Sequence, residues 1–428
     1  MKILQLTSND PETGGAIAVT RLNEALRKQG HDSRILNFAR APFKNITERT
    51  EPSLLWRGLD AIARRISYYM ALPEAFRPSI HISWRSINGF RPDLIHLHWA
   101  YVGFIPIFKL PSLTRRYPLI WTFHDMWPFT GGCTNSIDCV RWRSGCGACP
   151  QLDSSSSFTT IPSMRKDKTA YAWKMKQRAY SHSRFLVVAP SRWMAQLARN
   201  SPMLNPDSIH HVPNCLDTHF WKPLEKKACK MALNISPEKK VLLFIGKPDN
   251  LFAYPGRREM LEQTLRELKK IYSQLVRKMV VVLVGKKGRS FELDGFDIIP
   301  METVTSAAMM RICHNAADVL FDPTLFDNLP CIIQEAMSCG TPVIASNVGG
   351  ISDLVQHMET GYLCHPNSPR EFADGISFLL TDQRTWTCLS QNARQKAVNE
   401  YDDQIIYERM IIIYTEENAN YAKIQSLS

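Results

Sequence analysis

Asp327-Asn-Leu-Pro-Cys-Ile-Ile-Gln-Glu335 runs into Ala336-Met-Ser-Cys-Gly340-Thr-Pro-Val-Ile-Ala-Ser346 and then Asn347-Val-Gly-Gly350, and this stretch decides the fold class. It sets two carboxylates eight residues apart, Asp327 on a loop and Glu335 inside a short helix. Ile332, Ile333, Ala336 and Met337 recur at helical spacing, so they should turn one face to a sheet while Gln334 and Glu335 look elsewhere. Glu335 is thereby expected beside the helix N-terminus. Gly340 suits the left-handed stop of that helix and Pro342 forbids its continuation. Val343, Ile344 and Ala345 then read as an interior strand of a parallel sheet. Beyond them, Gly349 and Gly350 let the backbone approach a ligand closely. A helix from about Ile351 is expected to aim free amides and its positive end at a phosphate. Carboxylates suit the hydroxyls of sugars and ribose; backbone amides suit a diphosphate.

The ordered string resembles the signature of glycosyltransferase family 4, an acid, seven residues and a second acid that opens E-A-M-A-C-G-T-P-V-V-A-S-D-V-G-G. The chain follows it from Asp327 through Gly350. An ordinary helix and strand with two surface acids explains the apolar spacing but not the whole string. In the resembled family the first acid contacts the donor sugar and the second holds the ribose, roles the resemblance passes to Asp327 and Glu335. Asn328 and Leu329 share the loop and join the donor-binding candidates with Gly349 and Gly350. Asp327 is one methylene shorter than the usual Glu, which moves its oxygens by about 1.5 Å and bears on which donor is taken.

Length and composition agree with this reading. At 428 residues the chain exceeds one hydrophobic core, which stops growing near ~250–300 residues, so two domains are expected. The 44% hydrophobic content is that of a globular protein. The longest apolar candidate, residues 94–108, holds two histidines and a proline and is too short to span a bilayer. The N-terminus reaches Asp10 before a signal-peptide core could form, so a cytoplasmic location is expected. A net charge of +12 is compatible with nucleic acid, an anionic membrane surface or a diphosphate ligand. Residues 55–90 gather Trp56, Arg57, Ile62, Arg64, Arg65, Tyr68, Tyr69 and Phe76 with partial helical spacing. That stretch suits peripheral contact with an anionic membrane, or equally an ordinary packed helix with solvated arginines.

The first half reads as one α/β domain. Lys2 to Leu6 is an apolar strand, Gly14-Gly15 opens a helix with Ala18, Val19, Leu22, Ala25 and Leu26 on one side, and a strand returns from His31. The order is doubly wound but lacks a G-x-G-x-x-G fingerprint, so a dinucleotide is not expected. In the resembled family such Gly-Gly loops lie near the donor phosphates and the acceptor, which makes Gly14 and Gly15 site candidates; a plain tight turn is the alternative. Pro92-Asp-Leu-Ile-His-Leu-His-Trp99 and Pro118-Leu-Ile-Trp-Thr-Phe-His-Asp-Met-Trp127 are strands ending in histidine and aromatic residues. Ligands gather at the carboxyl ends of strands in open parallel sheets, so His98, His124 and Asp125 stand out. The resemblance places His124 near the donor sugar. Asp125 is expected to hold the His124 imidazole in one tautomer or to face the acceptor hydroxyl.

Cys133, Cys139, Cys146 and Cys149 follow as C-x5-C-x6-C-x2-C within the loop 131–150. Four thiolates can satisfy tetrahedral zinc, and a reducing compartment disfavours disulfides, so structural zinc is the preferred reading. Two transient disulfides or unligated thiols stay open. Bacterial family 4 enzymes that build surface polysaccharides, the colanic acid type among them, have a similar W-T-x-H-D-x-W, four-cysteine and C-P-x-L arrangement. The resemblance thus reaches the first half too. The other seven of the 11 cysteines are scattered and look like small core residues.

His211-Val-Pro-Asn-Cys-Leu-Asp217 resembles the family's interdomain segment, with Cys215 where glycine is usual. The expected domains are 1–215, 220–400 and a C-terminal helix, 401–428, packing back on the first. In the second domain, strands at residues 241–246 and 279–285 flank a helix expected from Arg258 to Val276, and the last helix offers Ile405, Ile406, Met410, Ile411, Ile412 and Tyr414 to bury. Family members carry two cations near the first strand that bind the donor diphosphate; Lys247 and Arg257 are the matching candidates here. Opposite charges ~4 Å apart interact by about 4 kcal/mol at an effective dielectric of 20, enough to stabilise a departing diphosphate.

Taken across the chain, the resemblance implies the GT-B architecture, two Rossmann-like doubly wound domains facing a cleft. It also implies a metal-independent, retaining glycosyltransferase that uses a nucleotide-diphosphate sugar and a glycan or lipid-linked oligosaccharide acceptor. The catalytic candidates are His124, Asp125, Asp327, Lys247 and Arg257. A nucleotide-sugar epimerase or a phosphorylase on the same fold is the enzymatic alternative. A zinc-dependent nucleic-acid binder is a distant one, since no basic and aromatic recognition module surrounds the cysteines.

Overall fold

A computed structural model describes residues 1–7, 13–37, 84–100, 105–153, 159–161, 166–246, 256–285, 288 and 290–426, with residues 62 and 65. Lys247 lies outside the described residues, as does the aromatic and basic stretch named above apart from Ile62 and Arg65. The chain forms two compact units, Met1–Cys215 with Ile406–Ser428, and Leu216–Ile405.

The first unit is built on β1 (Lys2–Thr7), β2 (Asp32–Asn37), β3 (Leu94–Leu97), β4 (Leu119–Thr122), β5 (Leu186–Ala189) and β6 (Ile209–His211). They lie in the order β2-β1-β3-β4-β5-β6 and every pairing is parallel. The central strands β3 and β4 are short, largely apolar runs buried from end to end, which is what a sheet covered on both faces requires. Thr13 caps the helix Gly14–Lys28, its hydroxyl accepting from the Ala16 amide, and Ala18, Val19, Leu22, Ala25 and Leu26 are buried. Ser191 caps Arg192–Arg199 in the same way through the Met194 amide. The last helix, Asp403–Gln425, contributes Ile406, Met410, Ile413 and Tyr414 to a core with Ile3, Leu22, Leu94 and Ile120. The buried stripe is narrower than the sequence suggests: Ile412 is 56% exposed, and Ile413 takes the inward position one residue on.

The second unit holds β7 (Lys240–Ile245), β8 (Met279–Val284), β9 (Phe291–Leu293), β10 (Phe296–Met301), β11 (Val319–Asp322), β12 (Val343–Ser346) and β13 (Gly361–Cys364). Their order is β13-β12-β11-β7-β8-β10-β9, parallel except where β9 folds back on β10. The expected helix from Arg258 to Val276 breaks at Tyr272 into Arg257–Ile271 and Ser273–Val276. The helix Cys331–Ser338 ends as its sequence requires. The Thr341 amide bonds the Ala336 carbonyl and the Gly340 amide bonds that of Met337, with Gly340 at φ +72°.

Both sheets have a switch point, where the crossovers from one strand leave to opposite sides and a crevice opens at the carboxyl edge. In the first unit it falls between β1 and β3, in the second between β7 and β11.

Candidate functional site

Arg257 sits across the second unit's switch point. It is the first residue of its helix, preceded by Gly256 at φ +92°. Its Nη2 donates to Asp322 Oδ1 at 2.7 Å and to the Ile245 carbonyl at 3.2 Å, joining the carboxyl ends of β11 and β7. The guanidinium also lies 5.4 Å from the centroid of the Phe244 ring, and its buried Nε has no hydrogen-bond partner. The Arg257 and Asp322 side chains are 18% and 2% accessible, so the pair is shielded from solvent. Asp322 was not among the residues singled out from the sequence. An acid closing the otherwise apolar strand Val319-Leu-Phe-Asp322 was the available signal.

Asp327 follows on the loop after β11 and is half-buried. Burial pushes its carboxyl up to about 7 and the adjacent Asp322 charge adds to this, while the amides of Asn328 and Leu329 and the charge of Arg257 pull the other way. Asn328 and Leu329 therefore act on Asp327 through their backbone. The two glycines support the same loop. Gly349 is at φ +56°, and a Cβ there would stand 2.2 Å from the Asp327 carbonyl oxygen, so only glycine lets these loops meet. The Gly350 amide donates to that same carbonyl at 3.0 Å. The helix that follows, Ile351–Leu354, is a single turn. The helix expected from about Ile351 thus begins there but stops after one turn, because Val355 leaves helical geometry, and its dipole is correspondingly small.

Gln334 and Glu335 are both buried, since the helix Cys331–Ser338 is covered on nearly every side. A Glu335 oxygen lies 3.3 Å from Nε2 of the fully buried His314, whose Nδ1 has no partner. His314 was another residue the sequence did not flag.

In the first unit the strand-end histidines form a chain. Gln5 Oε1, an acceptor, faces His98 Nε2 at 2.9 Å, so that nitrogen carries the proton. His98 Nδ1 is then the acceptor for His124 Nε2 at 3.1 Å. Behind them the Gln5 amide reaches Ser33 and Asn23, and His96 bonds Tyr414 and Thr122, each at 2.7 Å. Burial lowers His124 to about 4 and His96 to about 3, and holds His98 well below the usual range, so all three are neutral at physiological pH. His98 and His124 also line a cavity of about 20 Å³ with Thr122, Asn214 and Cys215. The expected grip of Asp125 on the imidazole is replaced by this chain. The Asp125 carboxylate accepts from the Trp127 amide, through Oδ1 at 2.8 Å, and from the Trp99 side chain. Burial raises Asp125 to about 7. Gly14 and Gly15 open the first helix at the carboxyl end of β1, and a Cβ at Gly14 would meet no atom within 4 Å.

Cys133, Cys139, Cys146 and Cys149 are free thiols lining one cavity of about 20 Å³.

Two family models match the chain. Glycosyltransferase Family 4 takes in residues 13–220 and Glycosyl transferases group 1 residues 232–396. The chain belongs to glycosyltransferase family 4. This family 4 chain is 23% identical over 379 residues to the Escherichia coli protein WcaC, named for colanic acid biosynthesis, covering 83% of this chain and 85% of that one. It is 25% identical over 222 residues to the D-inositol 3-phosphate glycosyltransferase of Thermobispora bispora, covering 49% and 51%. Several curated relatives are matched over only about half of their length. Among solved structures, the sucrose-phosphate synthase of Thermosynechococcus elongatus superposes with a TM-score of 0.67 at 18% identity, covering 98% of this chain and 99% of that one. Anabaena HepE in complex with UDP does so with 0.63 at 17%, covering 97% and 100%. The fold is GT-B.

Proposed function

We propose that this family 4 protein moves a sugar from a nucleoside-diphosphate sugar to a glycan acceptor, with retention of configuration. The observation that carries the reading is the Arg257, Asp322 and Asp327 cluster at the second unit's switch point. A shielded cation beside a carboxylate suits a diphosphate joined to a polyhydroxylated ring. In this reading Arg257, with Lys247, receives the negative charge of the departing diphosphate, and no metal ion is assigned to that step. Asp327 accepts from a donor-sugar hydroxyl and Glu335 takes the ribose. For retention, the leaving diphosphate deprotonates the incoming hydroxyl on the face it vacates. His124, held neutral by burial and oriented by His98, is assigned to the sugar, and the Asp125 carboxylate to an acceptor hydroxyl.

UDP-sugars are the first donors to try, because HepE has been solved with UDP and with UDP-glucose. The likeness to WcaC over most of both chains supports an acceptor belonging to a bacterial surface polysaccharide. We place that acceptor on a lipid diphosphate at the cytoplasmic membrane face. Among the described residues no helix is long and apolar enough to cross a membrane, so the proposed contact is peripheral. The test is release of nucleoside diphosphate from a panel of nucleotide sugars, with and without lipid-linked acceptors. Acceptor-dependent release from one donor is expected. Donor turnover without any acceptor would favour an epimerase, and silence across the panel would overturn the proposal.

A further inference from the structure

The four cysteines of loop 131–150 have no part in the proposed transfer, yet the fold converges on them. Cys149 lies sixteen positions after Cys133 along the chain, and Cys133, Cys139, Cys146 and Cys149 wall a single cavity with Gly131, Trp142 and Thr169. Its volume of about 20 Å³ is close to that of one small probe sphere, roughly 10–15 Å³, which suits one ion. All four sulfurs are free thiols. The knuckle that carries the last pair runs through positive φ at Gly145, Cys146, Gly147 and Ala148, two of them non-glycine residues that need an external hold.

The surroundings resemble the outer shell of a metal site. The Gly131 amide points at Cys146 Sγ at 3.2 Å, a bond that favours a thiolate over a thiol. Asp167 accepts from the Cys149 amide at 2.7 Å and from the Thr169 amide at 2.9 Å, tying the knuckle to the helix Thr169–Tyr180. From that helix comes Lys176, fully buried, whose ammonium lies 3.7 Å from the centroid of the Trp127 ring and donates to the carbonyls of Trp127 and Thr130. Thr130 in turn donates to the Cys133 carbonyl at 2.7 Å. A divalent ion held by four thiolates carries two excess negative charges, and the buried Lys176, on the helix packed against the loop, is the basic group placed to oppose them. Trp142, between Cys139 and Cys146, is pinned by the Trp173 indole at 2.8 Å.

We propose that these four cysteines bind one structural zinc ion, which fixes the loop following His124 and Asp125. Zinc fits because it takes four thiolates with no redox change. Among the described residues no three His, Cys, Asp or Glu side chains stand close enough together to hold a metal ion, so in this proposal the four thiols that line the cavity close in when the ion binds.

The full chain, purified under reducing conditions without a metal-affinity step, should contain about one zinc per molecule by mass spectrometry of the elements. Titrating its thiols with a mercurial should release that zinc into a chromogenic chelator as four thiols react. Cys146→Ser and Cys149→Ser should lose the metal, Cys149→His should keep it, and Cys388→Ser, at an exposed cysteine outside the loop, should match the parent. Stripping the ion should lower Tm by about 5–10 °C, restored by zinc and not by magnesium. The unsubstituted protein decides the matter even where the Ser variants do not fold. Absence of zinc with four alkylatable thiols, two disulfides by peptide mapping, or bound iron with visible absorption would each overturn the assignment.

Discussion

The two units place their chemistry at the same part of the fold, the carboxyl edge of a parallel sheet, and furnish it in opposite ways. In the first unit the edge carries His96, His98 and His124, which burial keeps neutral; His98 bonds His124 and Gln5, and His96 bonds Thr122 and Tyr414. In the second it carries an ion pair, Arg257 with Asp322, and beside it Asp327, which burial and Asp322 hold up at about 7. Neutral donors and acceptors suit uncharged hydroxyls, whereas a shielded cation suits phosphate. The same sheet geometry serves both purposes because the strand ends fix direction while the residue types fix charge.

The largest effect that would break this contrast is expected at Arg257. Arg257→Ala leaves Asp322 buried without its partner, costing about 3 kcal/mol. It should also weaken UDP binding by roughly 100-fold, since a charge-assisted contact to the diphosphate goes with it. Urea unfolding and titration calorimetry read the two separately. Unchanged UDP affinity would mean that Arg257 serves the fold alone.

Next in size is the response to pH, which should run in opposite senses. An unfolded histidine takes its proton near 6.5 and His124 in the first unit only near 4. The unfolded state therefore binds more protons in that window, and His124 costs the first unit stability as pH falls from about 6.5 towards 4. One such group is worth about 3 kcal/mol at 1.36 kcal/mol per pH unit. His96 and His98 act in the same sense, while Asp125, raised to about 7, offsets one of the three. Asp327 shows the reverse. Its unfolded value is 3.8 and its folded value about 7, so the second unit loses stability as pH rises across that interval. Hydrogen exchange resolved by peptide at pH 5 and pH 7, corrected for intrinsic rate, should show protection rising in the first unit and falling around Asp327. A common direction would remove the contrast.

The smallest expected effect sharpens the assignment of Asp327 itself. If it accepts from a donor-sugar hydroxyl, affinity for the nucleotide sugar should improve as pH rises through about 7, while affinity for UDP should not. Asp327→Asn should lower nucleotide-sugar affinity about 10-fold, the loss of one charged hydrogen bond, and flatten that pH dependence. Equal losses for UDP and the sugar nucleotide would move Asp327 from the sugar to the phosphates.

Much of this edge chemistry was legible in the chain. The histidines closing apolar strands and the Asp327 loop were readable because parallel sheets expose their carboxyl ends. The Gly340 stop and the Ser191 cap are local devices that announce themselves in a few residues. Asp322 was harder to see, because its meaning comes from Arg257, 65 residues earlier. His314 against Glu335 and Gln5 against His98 depend likewise on contacts between elements distant in sequence. The short β9 and β10 pair escaped notice because β9 has three residues, too few to show a period.

By itself the sequence determined the alternation of strands and helices, the family, and which residue types could meet a sugar or a phosphate, since these follow from periodicity, caps and an ordered motif. Only the tertiary structure decided which imidazole nitrogen carries the proton and that Gly349 serves the Asp327 loop. It alone showed that Asp322 holds Arg257 and that Gln5 orients His98. Those are properties of distance and burial, and both arise only when segments far apart in the chain are brought into contact.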